Sequence, residues 1–193
     1  MLGIIYTTFS DMVIEREGME FWNTVLEKVN PVSEGAYTTA TEYDDAELFQ
    51  LMTTVSLMLD KDLQQLVRLF GEYLFVHLMK YCPVNLEDNP SVIDFLASIN
   101  ERVHDEVRRV HPNAYAPSFE LVARGADYLT LRYRSERRLC SLCEGLIQGA
   151  AVYFSMPVQL LHDHCMHRGD DHCQLVVRCQ PGDKGGEHVA GPL

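Results

Sequence analysis

From Leu161 to Cys173 the chain reads LHDHCMHRGDDHC, so His162 stands three residues before Cys165 and Cys165 eight before Cys173, around a Gly169-Asp170 turn. Five of the six cysteines (Cys140, Cys143, Cys165, Cys173, Cys179) follow Leu139, and four of the eight histidines fall between His162 and His172. In a secreted chain such clustering means disulfides; in a reducing cytoplasm it points to a metal. Three thiolates and one imidazole are a frequent tetrahedral set for structural zinc, because both ligand types suit a borderline-soft ion. The spacing is not that of a standard finger. A zinc–thiolate redox sensor is a second use of the same residues, since oxidised thiolates release the metal. A catalytic zinc is a third, but it needs an open position that four good ligands would close.

A second group sits at Tyr133-Arg134-Ser135-Glu136-Arg137. On a strand, residues 129, 131, 133, 135 and 137 share one face, which here reads Leu, Leu, Tyr, Ser, Arg. An apolar floor thus ends in two hydroxyls and a guanidinium, a set able to hold carboxylates or phosphates. A strand end emerging into solvent has the same pattern. Upstream, His104 aligns on a helical wheel with Ile93, Ala97 and Val107, at the edge of an apolar stripe. A neutral imidazole leaving an apolar wall is what an axial ligand to haem iron requires. A boundary histidine bonded to backbone looks alike. His77, in another apolar helix, is the other candidate, whereas His111 beside Pro112 fits a helix end.

The elements that position these residues are mostly helical in the first two-thirds of the chain. Helical periodicity covers residues 2–17, Met19 to Val29, Asp44 to Leu59 and Lys61 to Met79, with a loop from Pro31 to Tyr43. Cys82-Pro83 stops the fourth helix, and Asn89-Pro90 supplies an N-cap and first-turn proline for a long helix to about His111. Period-2 patterning then predicts strands over Ser118–Arg124 and Tyr128–Arg137, joined through Arg124-Gly125-Ala126-Asp127. Cys140–Phe154 reads as an inserted helix, and Pro157–His162 and Cys173–Cys179 as strands. Helices followed by antiparallel strands with one inserted helix make the class α+β. The expected units are an N-terminal helical part over 1–60, an α+β part over 61–179, and a disordered tail over 180–193.

With 16 basic against 28 acidic residues the net charge is −12, unlike a nucleic-acid-coating surface, which needs clustered Lys and Arg. No run of 18 apolar residues occurs and the N-terminus lacks a basic start, so neither a membrane span nor a signal peptide is expected. The expected location is cytoplasmic. No His-Glu-x-x-His, paired-carboxylate or Ser-His-Asp arrangement supports an enzyme, and a metalloenzyme built on the His/Cys cluster is the weaker alternative.

A helical histidine, a proline-bearing loop and a Tyr-x-Ser-x-Arg strand end together resemble the H-NOX domain, the haem nitric oxide/oxygen binding module also carried by soluble guanylate cyclase. The resemblance covers roughly residues 1–180, from the Leu2-Gly3-Ile4-Ile5 start. It implies haem b, with His104 ligating the iron and Tyr133, Ser135 and Arg137 gripping the propionates. Pro117, in Ala114-Tyr115-Ala116-Pro117, matches the proline that presses on and distorts the haem. In oxygen-binding members a tyrosine follows the motif arginine by five residues; here that position is Leu142. The other matching pocket positions, Ile5, Phe9, Leu74, Leu78 and Leu146, are apolar as well. Dioxygen on ferrous haem needs a hydrogen-bond donor more than nitric oxide does, so the resemblance implies nitric oxide selectivity, with carbon monoxide also bound.

The resemblance extends to zinc-bearing H-NOX proteins and to small-ligand domains of the 4-vinyl reductase type. On that match the zinc ligands are Cys140, His162, Cys165 and Cys173, with Cys143, His164, His167 and His172 as substitutes. The implied function is a non-enzymatic sensor, in which nitric oxide weakens the bond to His104 and releases its helix and the distortion held by Pro117. No kinase or cyclase segment is evident. The implied partner is therefore a separate signalling protein, a histidine kinase or a cyclic-di-GMP enzyme (diguanylate cyclase or phosphodiesterase).

Overall fold

A computed structural model describes residues 1–80, 91–99 and 117–180. The order is α1 (Gly3–Glu17), α2 (Met19–Val29), α3 (Asp45–Met58), α4 (Leu63–Met79), α5 (Val92–Ser98), β1 (Ser118–Arg124), β2 (Tyr128–Arg134), α6 (Cys140–Tyr153), β3 (Val158–His164) and β4 (Cys173–Cys179). This is the α+β arrangement expected from the sequence. Helix starts follow their capping chemistry: the Asp44 and Asp62 carboxylates accept from the backbone N–H of Ala46 and Gln65, at 3.0 and 2.9 Å. No helix among the described residues is long and apolar enough to cross a membrane.

Three boundaries differ from expectation. The cap of α5 is Ser91, whose Oγ accepts from the Asp94 N–H at 3.1 Å, rather than Asn89. A hydroxyl one residue before Val92 competes successfully for the first free donors of that helix. The continuation of the expected long helix, His104 and His111 included, lies outside the described residues, as do residues 181–193. Strand β2 ends at Arg134 instead of Arg137, because the Arg138 N–H turns back to the Ser135 carbonyl at 3.1 Å. Strand β3 extends to His164, two residues past its expected end.

The sheet order is β1-β2-β4-β3, antiparallel throughout. Leu129, Leu131 and Tyr133 of β2 stand opposite Val177, Leu175 and Cys173 of β4, and all six are buried. That face joins one core with Val92, Ile93, Phe95 and Leu96 of α5 and Ile147 and Ala150 of α6. A second core is built by α1 to α4 together with Leu142 of α6. Leu146 packs against both cores.

The two cores meet where α4 crosses α6. A Cβ on Gly71 would lie 2.4 Å from the Leu142 carbonyl oxygen, and one on Gly145 would lie 2.0 Å from that of Arg68. Only glycine allows backbones this close.

Candidate functional site

Six side chains from three helices converge in the helical core. Ile5 and Phe9 come from α1, Leu74 and Leu78 from α4, and Leu142 and Leu146 from α6. Phe9 and Leu74 are fully buried and Leu142 is 9% exposed. None of the six carries a hydrogen-bond donor. Tyr6, in the same cluster, donates its hydroxyl proton to the Asp44 carbonyl at 2.7 Å. His77 lies half-buried on α4, its ring stacked on Tyr73 at 4.5 Å and its Nδ1 3.1 Å from the Tyr73 carbonyl oxygen.

At the end of β2, alternation buries Tyr133 beside Leu129 and Leu131, as the period-2 pattern requires. Ser135 stays buried although the strand has ended, and its Oγ accepts the Arg137 N–H at 3.2 Å. Burial pushes the Tyr133 phenol up, against a hydrogen bond with Ser135. Arg137 grips a carboxylate with two nitrogens, as its fork geometry predicts, and that carboxylate is Asp45 at the start of α3. Nε binds Oδ2, and Nη2 binds Oδ1 at 3.1 Å. The amino group of Met1 lies 2.8 Å from the same carboxylate. Burial raises the Asp45 carboxyl, but the hydrogen bonds from Arg137 and the amino terminus outweigh it and hold it below the usual range. Pro117, half-buried, immediately precedes β1.

The donor set at this strand end suits acidic groups, and the apolar cluster suits a flat hydrophobic ring with a small gas. Tyr133, Ser135 and Arg137 with the six apolar residues thus fit haem by their chemistry.

Cys140, His162, Cys165 and Cys173 form a second constellation, with one ligand atom from each lying within 4.8 Å of the others. Cys140 opens α6, His162 is on β3, Cys165 follows β3 and Cys173 opens β4. The Cys140 and Cys165 sulfurs are 3.8 Å apart. A tetrahedron with ~2.3 Å zinc–sulfur bonds has an edge of about 3.8 Å. Burial, with Cys173 and Cys165 nearby, pushes the Cys140 thiol up; burial likewise raises Cys173. A cation would offset that cost. The Met166 N–H donates to the Cys173 sulfur at 3.3 Å, and the Cys165 N–H to Asp170 Oδ2 at 2.7 Å, shaping the turn between them.

A β-bulge decides which histidine joins this set. His162 pairs with Leu175 on the buried face, but the register shifts before His164, which pairs with Gln174 on the other face. His162 therefore has a side chain 14% exposed, while that of His164 is 54% exposed. His167 reaches the Arg138 carbonyl and His172 the Asp171 carboxylate, and Cys143 is buried outside the group.

Two residues of this site, Glu144 beside His162 and Arg68 beside Glu144, are not singled out by the sequence reading. Glu144 Oε1 lies 2.5 Å from His162 Nδ1, and Glu144 Oε2 lies 2.6 Å from both Nε and Nη2 of Arg68. Burial raises the Glu144 carboxyl, but hydrogen bonds with His162 and Arg68 outweigh it and hold it down. The available signal was a lone carboxylate in the apolar helix CSLCEGLIQGAAVY, one turn from Cys140 and so on its face.

A family model described as haem-NO-binding matches residues 2–162. An H-NOX protein from S. oneidensis, solved in the Fe(II)NO ligation state, is 34% identical with a TM-score of 0.86, covering 94% of this chain and 100% of that one. The unliganded Fe(II) H-NOX protein from K. algicida is 26% identical with a TM-score of 0.87, covering 96% of this chain and 100% of that chain. The H-NOX from Shewanella woodyi, solved with IWP-051 bound in the Fe(II)CO state, is 29% identical with a TM-score of 0.80, covering 98% and 99%. Sequence and fold agree: this chain belongs to the haem-NO-binding, or H-NOX, family of haem-based gas sensors.

Proposed function

We propose that this chain is a nitric oxide sensor that regulates a separate signalling protein and performs no catalysis itself. The observation that carries it is the donor-free cluster of Ile5, Phe9, Leu74, Leu78, Leu142 and Leu146. Haem b bound here supplies ferrous iron as the gas-binding centre. His104, assigned through the family resemblance, would ligate the iron, and His77, whose Nδ1 is bonded to the Tyr73 carbonyl, is the other candidate. Tyr133, Ser135 and Arg137 would hold the propionates, and Pro117 would lie against the ring. The six apolar side chains exclude water and offer dioxygen no hydrogen bond, which favours nitric oxide and carbon monoxide. A partner of the histidine kinase or cyclic-di-GMP type fits the resemblance.

The test is optical. The ferrous protein should bind nitric oxide and carbon monoxide and form no stable dioxygen complex; a persistent oxy spectrum in air refutes the pocket argument. His104→Gly should bind haem only when imidazole is supplied. If His77→Ala shows that behaviour and His104→Gly does not, the ligand assignment is wrong.

A second reading concerns Cys140, His162, Cys165 and Cys173, whose convergence favours one structural zinc per chain. A redox-sensing role for the same thiolates is the alternative, and metal-dependent catalysis is disfavoured because four ligands close the sphere.

A further inference from the structure

We propose that Glu144 is the positioning residue of this metal centre and that Arg68 fixes Glu144, so that His162 is oriented from the far side of the α4–α6 crossing. The proposal rests on the reading of Cys140, His162, Cys165 and Cys173 as metal ligands.

An imidazole ligates through one nitrogen, and the partner of the other decides which one is free and where the ring points. In this structure His162 Nδ1 faces Glu144 Oε1 at 2.5 Å. A carboxylate only accepts, so Nδ1 carries the proton and Nε2 presents a lone pair. His162 Nε2 is buried and has no hydrogen-bond partner among the described residues. A buried polar nitrogen left in this way is costly unless something binds it, and the ring brings one nitrogen within 4.8 Å of the three sulfurs.

Glu144 can orient the ring only if it is itself held. It is 8% exposed, and its second oxygen is engaged by two nitrogens of Arg68. A carboxylate fixed at both oxygens has one orientation. Arg68 arrives there because α4 and α6 touch: its carbonyl oxygen occupies the space beside Gly145 that a Cβ would need. The glycine crossing therefore sets the distance between guanidinium and carboxylate, and the carboxylate sets the imidazole. Cys140 and Glu144, one turn apart, bring ligand and positioning residue on the same helix face.

The test is a zinc competition titration of the full-length chain against a chromophoric chelator, with visible spectra of the cobalt(II)-substituted protein. Glu144→Ala should weaken zinc binding about 10- to 100-fold and shift the cobalt ligand-field bands. Glu144→Gln has one acceptor oxygen where two are used, so its affinity should fall between wild type and Glu144→Ala. Arg68→Met should weaken binding less than Glu144→Ala. In a His162→Ala background, Glu144→Ala should add no further loss, since its effect passes through the ring. A merely structural role would lower the melting temperature while leaving affinity and cobalt spectrum unchanged. Unchanged zinc affinity in both Glu144→Gln and Arg68→Met therefore overturns the positioning role alone, even if Glu144→Ala does not fold. A wild-type protein that takes up neither zinc nor cobalt overturns it together with the metal reading.

Discussion

Arg137 is asked to do two things, and the structure shows one of them. It clamps Asp45 with two nitrogens, tying the turn after β2 to the first residue of α3, and it is proposed to hold a haem propionate. Its side chain is 17% exposed and that of Asp45 28%, so the pair is only partly screened. Arg137→Ala should cost about 1–3 kcal/mol of stability, because it leaves the half-buried Asp45 carboxylate with the amino terminus in place of a two-nitrogen clamp. It should also reduce haem loading more than Ser135→Ala, which removes one neutral hydrogen bond; equal haem content in the two variants contradicts this. The stability part carries a pH signature. Asp45 is held below its ordinary value in the folded protein, so the clamp contributes fully above pH about 4 and is lost as pH falls through the lowered folded value. The stability gap between wild type and Arg137→Ala should accordingly narrow in acid, as read by denaturant titrations at pH 7 and below 4. A gap that stays constant would show that Asp45 is not the partner that matters.

Among the elements, the α4–α6 crossing is the most demanding contact. A Cβ on Gly145 would meet the Arg68 carbonyl oxygen at 2.0 Å and the Gly71 Cα at 2.8 Å, both backbone atoms that cannot swing away. Gly145→Ala should therefore force the helices apart, at about 1–3 kcal/mol. For a chain of this length that is a melting temperature lowered by about 3–10 °C. A variant melting with wild type would mean that the crossing tolerates separation. Elements of this kind divide what the sequence reveals from what it hides. Helices α1 to α4, the β1–β2 hairpin and the inserted α6 were legible because periodicity, caps and turn residues are local signals. The end of β2 was misplaced because Ser135 continues the face alternation while its hydroxyl and carbonyl fold the chain back. The convergence of the zinc-type set was legible in residue types, but the choice of His162 over His164 depends on a bulge at Asp163 that no composition signal marks. Arg68 and Glu144, 76 positions apart, meet only through the glycine crossing.

At the scale of the whole molecule, two cores and two candidate centres are joined through α6. The apolar cluster belongs to the core of α1 to α4, with Leu146 packed against both cores, and the thiol cluster to the core of the sheet with α5 and α6. The sheet does not depend on a metal for its cohesion: Leu129, Leu175 and Val177 are fully buried and pack across three strands and two helices. The turn between Cys165 and Cys173 is different. Its bonds include those from Met166 N–H to the Cys173 sulfur, from Cys165 N–H to Asp170 and from the exposed Arg168 side chain to the His162 and Asp163 carbonyls, and apart from Met166 no large apolar side chain anchors it. A segment stabilised by few apolar contacts opens at low cost once its staple is removed. Chelating zinc from the purified protein should therefore speed hydrogen exchange at amides 162–173, together with the first turn of α6 that carries Cys140. Exchange in α1 to α4 should stay as it was, and so should the Soret band, because Tyr133 and Leu142, which border the thiol cluster, are held by pairing with β4 and by the α4–α6 crossing rather than by the metal. Glu144 and Arg68 link the thiol cluster to α4, so a spread of faster exchange into α4 should enter near Arg68 before it reaches Leu74. Loss of the Soret band on chelation, or exchange rising evenly along the chain, would show one cooperative unit in place of a stapled turn on a stable frame.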